Sequence, residues 1–123
     1  MREDITLDQP ITMKRPKQNA LEEEIYSRQV EICKAFANPT RLRILDLLAK
    51  RPYSASELQK HLSVAKANLS QHLTVLKQAG VVTTRREGKQ VFCSLAIPEV
   101  KTACQLIRDV LRAQIRKDRA LAV

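Results

Sequence analysis

The spacing of apolar residues changes along the chain, and the clearest helical period runs from Leu62 to Gly80. Three leucines in this stretch lie i, i+4 and i+7 apart, which places them on one face of a helix: Leu69, Leu73 and Leu76. The opposite face is small and polar; it carries Ala67, Ser70, Gln71 and Thr74 and is flanked by Lys66 and Asn68. The pattern predicts an amphipathic helix with an exposed polar face, followed by Gly80 as a left-handed C-cap.

A second, shorter helix is predicted immediately upstream, from Ala55 to His61. Ser54 or Ser56 is its candidate N-cap, and Glu57 suits the positive end of its dipole. Two short helices joined by about four residues form a helix-turn-helix, whose second helix enters the major groove of DNA. An ordinary amphipathic surface helix is the alternative for the downstream element. The upstream helix favours the DNA-binding interpretation.

Three further helices are predicted on either side of this pair. The stretch Leu21–Ala37 carries two neighbouring apolar stripes and ends at Asn38-Pro39, because the residue before a proline is disfavoured in a helix. The stretch Thr40–Ala49 is apolar on nearly every side, which predicts a buried, central helix. The last helix, Pro98–Lys117, has an apolar band of its own. Packing the first and last helices across a twofold axis would bury both bands, so we expect a helical dimer interface.

After Gly80 the apolar residues alternate, which is typical of strands. The runs Val81–Arg85 and Gln90–Leu95 flank a turn in which Gly88 permits a positive φ, so they predict a β-hairpin. The tip of the hairpin carries Arg85, Arg86 and Lys89. Such a tip can contact phosphate or the minor groove as a wing, and a solvated basic hairpin is the alternative. The predicted fold class is mostly α with a small β-hairpin, a winged helix-turn-helix.

The chain has 123 residues and a formal net charge of +9, from 22 Lys and Arg against 13 Asp and Glu. We expect one domain over residues 20–118, a flexible N-terminal arm over 1–19 and a C-terminal tail over 119–123. The positive charge favours an anionic partner, either nucleic acid or an anionic membrane surface. No apolar run approaches the length of a membrane span, and the start lacks the apolar region of a signal peptide. We therefore expect a cytoplasmic protein without a membrane partner.

Three motifs together resemble the ArsR/SmtB family of winged helix-turn-helix repressors. They are N-P-T-R-L-R-I-L at 38–45, L-S-Q-H-L-T-V-L-K-Q-A-G-V-V at 69–82 and R-R-E-G-K-Q-V-F at 85–92. The resemblance implies a homodimer that binds an inverted-repeat operator in double-stranded DNA and is released by an inducer. It also implies that the DNA-contacting residues lie on the recognition helix and the wing. These residues are Lys66, Ala67, Asn68, Ser70, Gln71, His72, Arg86 and Lys89.

The chain departs from this family at three places. Where sensors of soft metals often carry Cys-x-Cys, it has Ser54 and Ser56, which are poor ligands for such metals. Zinc and nickel sensors use histidine on the terminal helix, but the two histidines of this chain, at positions 61 and 72, lie elsewhere. The usual cap serine of the recognition helix is replaced by Ala65, so Ser63 is an alternative start for that helix.

The three cysteines, Cys33, Cys93 and Cys104, are odd in number and widely spaced, which predicts reduced thiols rather than a disulfide framework. Each also fits an apolar stripe, so packing is one explanation for all three. The other is sensing of a thiol-reactive species or of an arsenite-like soft metal. Cys33 and Cys104 lie on the two helices predicted to pair, and they are the preferred dithiol, whereas capture of arsenite would use all three thiols. No other cofactor is predicted.

Catalysis has little support in the sequence. It contains no glycine-rich phosphate loop, no H-E-x-x-H and no Cys-x-x-Cys. Two other functions stay open beside the inducible repressor. One is a winged-helix protein that binds nucleic acid constitutively, and the other is a protein-interaction module. A sequence-specific footprint would argue against the interaction module, and release of DNA by a small molecule or oxidant would argue against constitutive binding.

Overall fold

The computed structural model describes residues 16–122, and these form five helices and a three-stranded sheet. In chain order, the elements are α1 (Pro16–Phe36), α2 (Pro39–Leu48), β1 (Tyr53–Ser54), α3 (Ala55–Leu62), α4 (Lys66–Gln78), β2 (Val82–Glu87), β3 (Gln90–Leu95) and α5 (Glu99–Ala122). The predicted fold class, mostly helical with a small hairpin, is confirmed. The strand β1 was not predicted, because an element of two residues is too short to show an alternating pattern.

One apolar core holds α2, α3 and α4 against the sheet. The buried residues of α2 are Ile44, Leu45 and Leu48, whereas Leu42 is 40% exposed, so this helix is less completely buried than predicted. The three leucines predicted to anchor α4 are buried as well. Leu58 of α3 and Cys93 of β3 lie at the centre, and neither exposes any surface. Since burying one such leucine contributes about 1.5–3 kcal/mol, this core fixes the relative positions of the two helix-turn-helix helices.

The wing is an antiparallel hairpin that β1 extends on one side. The strand β3 lies in the middle of the sheet, with Tyr53 of β1 opposite Cys93. Gly88 follows β2 with a φ of +62°, a conformation that glycine adopts without steric cost. Of the three alternating apolar residues of β3, Cys93 is fully buried, and Val91 and Leu95 are half-buried.

A reciprocal cap fixes the start of α3. The Oγ of Ser54 accepts a hydrogen bond from the N–H of Glu57 at 3.1 Å, and the N–H of Ser54 donates to Oε1 of Glu57 at 2.9 Å. Of the two candidate N-caps, Ser54 is therefore the actual one, and Ser56 is exposed. The backbone hydrogen bond from Ser54, followed by the hydrogen bond from Arg51, holds the pKa of Glu57 below its ordinary value.

The turn between α3 and α4 corrects one prediction. Ser63 lies between the helices in the left-handed conformation, with φ +53° and ψ +47°, and its N–H donates to the carbonyl of Gln59 at 2.9 Å. The helix α4 begins at Lys66 after Ala65, so the alternative start at Ser63 is wrong. The reason is steric, because a right-handed helix cannot contain a residue with positive φ. Gly80, with a φ of +79°, adopts the predicted left-handed conformation after α4.

Both terminal helices are longer than predicted. The helix α1 begins at Pro16, so residues 16–19 of the expected arm are helical. Proline is tolerated in a first turn, and no helix breaker follows it. The first fifteen residues of that arm lie outside the described residues. The helix α5 continues to Ala122, because the residues of the expected tail include arginine, alanine and leucine, which favour helix.

The helices α1 and α5 carry apolar faces that the core of the protomer leaves exposed. Among the residues of α5 whose burial the structure describes, only Val100 is buried, and an ion pair between Arg108 and Asp46 joins this helix to α2. The large apolar side chains that are 46–77% exposed on these two helices are Leu21, Ile25, Tyr26, Val30, Leu106, Ile107, Val110, Leu111, Ile115 and Leu121. Among the described residues, no helix combines the length and the apolar character needed to cross a membrane.

The cap of α3 gives a stability test with a built-in control. We expect Ser54→Ala to lower the free energy of unfolding by about 1 kcal/mol, because the first turn of α3 loses its acceptor. The exposed neighbour Ser56 makes no cap bond, so Ser56→Ala should change stability by only a few tenths of a kcal/mol. Urea unfolding at one fixed protein concentration measures both. Equal losses in the two variants would contradict the assignment of the cap.

Candidate nucleic-acid interface

Two features present the polar face of α4 to solvent. The buried leucine stripe holds the other face of the helix in the core. The N-terminus of α4 is open to solvent as well, because its first turn has no side-chain cap: the side chain of Ala65 offers no hydrogen-bond acceptor. The first N–H groups of a helix have no partner within it and carry the positive end of its dipole. This end of α4 therefore favours a phosphate or another anion.

The first part of the candidate interface is the exposed face of α4, made of Lys66, Ala67, Asn68, Ser70 and Gln71. Two of these residues, Ala67 and Ser70, are small, so the helix backbone can approach a flat surface closely. The amide of Gln71 can donate and accept hydrogen bonds at once, as recognition of a base edge requires. Thr74 lies on the same face, and its hydroxyl donates to the carbonyl of Ser70 at 2.9 Å.

The second part is the tip of the wing, where the three predicted cations differ in their surroundings. Arg85 forms an ion pair with Glu87 at 2.7 Å, and its guanidinium lies 5.8 Å from the centroid of the Phe92 ring. Arg86 and Lys89 are exposed, and neither has an ion pair within the part of the chain that the structure describes. These two cations therefore keep their charge available to an external anion, whereas Glu87 offsets that of Arg85.

His72 lines an open groove with Ser70 and Gln71, but it is the one predicted DNA-contacting residue that is half-buried. Its ring is half-buried between α4 and α2, and its Nδ1 lies 3.3 Å from Nη1 of Arg41. Partial burial and then the charge of Arg41 lower the pKa of His72. The imidazole is therefore neutral at neutral pH, and it faces a guanidinium rather than the exposed surface of α4.

This arrangement of helices and wing recurs in known proteins. The model of the arsR family of bacterial regulatory proteins matches residues 38–84. Rv0081 of Mycobacterium tuberculosis, an uncharacterized HTH-type transcriptional regulator, is 40% identical over 98 residues, which cover 79% of this chain and 85% of the relative. Its crystal structure superposes with a TM-score of 0.70 at 39% identity, covering 78% and 96% of the two chains. The chain belongs to the arsR family. Members of this family are DNA-binding transcriptional regulators and not enzymes.

Two further relatives add to this picture. The transcriptional activator HlyU of Vibrio cholerae is 40% identical over 81 residues, covering 66% of this chain and 75% of the relative. Its structure gives a TM-score of 0.66, and a reduced form of it gives 0.65. The homodimeric winged helix-turn-helix DNA-binding domain of Mb0332 from Mycobacterium bovis, known in solution, gives a TM-score of 0.73 at 27% identity. That alignment covers 85% of this chain and 93% of the domain.

The three cysteines of this arsR-family chain lie in different environments. Cys33 is exposed on α1, and Cys93 is buried in the core. Cys104 is half-buried on α5 and lines a shallow groove with Asp46 and Arg108. Burial raises the pKa of the Cys93 and Cys104 thiols, and the charge of Asp46 raises that of Cys104 further. In the described range of one protomer, no three His, Cys, Asp or Glu side chains form a metal-binding group, so the three thiols do not come together there.

Two contacts of the structure were not predicted from the sequence. Arg41 and His72 are 31 residues apart, and Asp46 and Arg108 are 62 apart. Helical periodicity relates only residues within a few turns of one another, so it gives no signal for either contact.

Proposed function

We propose that this protein is a homodimeric transcriptional repressor that binds an inverted-repeat operator and releases it after reaction with a thiol-reactive inducer. The observation that carries the proposal is the exposed polar face of α4, a helix whose N-terminus has no side-chain cap. Beside it, the wing carries two cations that have no partner in the described chain. In a helix-turn-helix, such a helix enters the major groove. A DNA-binding regulator of this kind would act in the cytoplasm, where it meets the chromosome.

The side chains of the candidate interface suggest separate roles on DNA. We assign base recognition to Gln71 and close approach to Ala67 and Ser70, because an amide can pair with the edge of an adenine while small residues do not obstruct it. Arg86 and Lys89 are assigned to phosphate, which orients the protein without reading sequence. Repression follows from occupancy, since a dimer bound across a promoter blocks access to it.

The second copy needed for two half-sites is supported by the apolar faces of α1 and α5. Soluble monomers rarely expose large apolar patches, and ten large apolar side chains on these two helices are 46–77% exposed. Pairing these faces across a twofold axis would cover the side chains that the protomer leaves exposed. It would also place two α4 helices on one side of the dimer, for half-sites about one helical turn, or a multiple of roughly 10 bp, apart. The homodimeric state of the Mb0332 domain supports this assembly.

The inducer is proposed to act through Cys33 and Cys104. Both thiols are accessible in part, and they lie on the helices proposed to pair, whereas Cys93 is fully buried. Oxidation that joins two such thiols transfers two electrons to the oxidant, releases two protons and links α1 to α5. That link would change the spacing of the two α4 helices. One of the HlyU structures is of a reduced form, and we take this as support for redox chemistry in the present chain.

DNA binding is tested on a duplex that the protein selects from a random library. Affinity for this duplex should fall steeply as salt rises, because each phosphate neutralised releases counterions. We expect Lys89→Ala to weaken all duplexes alike and to reduce the salt slope of the dimer by about two, one for each copy, and Gln71→Ala to alter the preferred sequence. Fluorescence anisotropy at several salt concentrations measures both effects.

Lys101→Ala is the matched control, because Lys101 is an exposed lysine on α5 and lies outside the candidate interface. It should leave both the affinity and the salt slope unchanged. A complex insensitive to salt, or a selection that yields no preferred sequence, would count against the proposed function.

The dimer is tested by charging the middle of the apolar face of α5. We expect Ile107→Glu to dissociate the dimer, because the variant would bury an unpaired carboxylate among apolar side chains at a cost of several kcal/mol. Gln105→Glu adds the same charge on the opposite side of α5, where the residue is exposed, and should leave the dimer intact. Sedimentation velocity measures the mass of both variants. A stable Ile107→Glu dimer would refute the assigned interface.

The inducer is tested with single Cys→Ser variants bound to the selected duplex and treated with diamide, a persulfide or arsenite. Loss of release in Cys33→Ser and Cys104→Ser, but not in Cys93→Ser, is the expected result for the dithiol. Loss in all three variants would instead indicate arsenite capture by three thiols. If the triple variant still binds and releases normally, sensing by cysteine is excluded. If wild-type protein is never released, the protein binds its operator constitutively.

A further inference from the structure

The side chain of Arg41 connects three helices. It lies in the first turn of α2, where its backbone N–H donates to the side chain of the cap residue Asn38 at 3.1 Å. Its Nε donates to the carbonyl of Ala35 at 2.7 Å, and its Nη2 donates to the carbonyl of Lys34 at 3.1 Å. Its Nη1 lies 3.3 Å from Nδ1 of His72 on α4. One planar guanidinium thus contacts the end of α1 and the flank of the recognition helix.

Each end of this connection has a physical reason. Lys34 and Ala35 belong to the last turn of α1, whose carbonyls carry the negative end of the helix dipole. The carbonyl of Lys34 also accepts a hydrogen bond from the N–H of Ala37 at 3.1 Å. A guanidinium is a suitable partner for two such carbonyls because its donors have a fixed, forked geometry. Ala35 exposes no surface, so its position in the core restricts the end of α1 and the guanidinium that binds it.

In the contact with His72, the donor and the acceptor can be assigned in only one way. Arginine can only donate, so Nδ1 of His72 must accept, and the imidazole must be neutral with its proton on Nε2. Partial burial is the larger cause of the lowered pKa of this ring, and the charge of Arg41 lowers that pKa further. His72 follows Gln71 directly, so a change in the position of its ring changes the position of the proposed base-reading side chain.

We propose that Arg41 is a positioning residue that fixes the recognition helix relative to the end of α1, through His72, and that it makes no contact with DNA itself. This inference rests on the proposed function. Because α1 also belongs to the proposed dimer interface, Arg41 gives a direct route from the arrangement of the two protomers to the orientation of α4. Sequence discrimination should therefore depend on Arg41, whereas attraction to phosphate should not.

Arg43 supplies the matched control. It lies two residues further along α2 and has the same charge, but it is exposed and has no hydrogen bond or ion pair within the described chain. The test compares Arg41→Gln with Arg43→Gln on two probes. One is the duplex selected by the wild-type protein, and the other is a scrambled duplex of the same composition and length.

We expect Arg41→Gln to weaken binding to the selected duplex about tenfold, as loss of a charge-assisted contact would. Binding to the scrambled duplex and the salt slope should stay unchanged, and Arg43→Gln should leave the preference for the selected duplex intact. Arg41→Lys should restore only part of it, because an ammonium cannot reproduce the fork. If Arg41→Gln weakens both probes alike and reduces the salt slope of the dimer by about two, one for each copy, Arg41 is a phosphate contact and the proposal fails. Unchanged discrimination would overturn it as well.

A second measurement reports on the contact without DNA. The imidazole resonances of His72, followed by NMR against pH, should show its pKa rising toward the ordinary value in Arg41→Gln and staying in place in Arg43→Gln. Should Arg41→Gln fail to fold, His72→Leu removes the acceptor from the other side and should reduce discrimination in the same way. Discrimination unchanged in His72→Leu would then contradict the proposal. A selection that yields no preferred duplex for the wild-type protein is a different result, and it refutes the proposed function itself.

Discussion

Burial of the leucine stripe of α4 is the constraint on which the exposed surface of this protein depends. Leu76 exposes no surface, and Leu69 and Leu73 expose only 3% and 9%. Successive residues of a helix are turned by about 100°, so a slip of one position would direct Ser70 into the core and a leucine into solvent. Burial of the leucines thus decides which residues of α4 form its exposed polar face. The sheet also helps to fix α4, since Cys93 and the buried valines after Gly80 belong to the core in which the leucines are buried.

The net charge of the chain is divided between two kinds of cation. Arg51 contacts Glu57 at 3.3 Å and lies 3.7 Å from the centroid of the Tyr53 ring, while Arg85 and Arg108 have carboxylate partners of their own. Arg51 and Arg108 connect neighbouring elements, whereas Arg85 and Glu87 belong to the same strand. All three pairs are too exposed to add much stability. Arg86 and Lys89 have no such partner in the described chain. A sequence gives only the total charge, and the folded chain decides which cations are available to an outside anion.

Much of this fold was predictable because its signals are local. The i, i+4, i+7 leucines of α4, the proline after Asn38 and the glycine in the wing each act through neighbours in sequence. The start of α4 was harder to predict. The left-handed residue that ends α3 is Ser63 and not a glycine, so the sequence does not mark the break between the two helices. The partners of Arg41 and Arg108 could not be predicted from local patterns, since only the tertiary fold brings α2 against α4 and α5. The predicted roles of the α4 and wing residues on DNA stay predictions.

The exposed apolar faces of α1 and α5 also bear on how the protein folds. The buried core is built from residues 35–100, a contiguous part of the chain that includes both helix-turn-helix helices and the wing. Its contacts are available to a single chain, so this part can form at a rate independent of concentration. If a second copy covers the two outer helices, their apolar faces are buried only in a later, bimolecular step. The time between the two steps is when these faces are open to association with a wrong partner, and it shortens as the concentration of the protein rises.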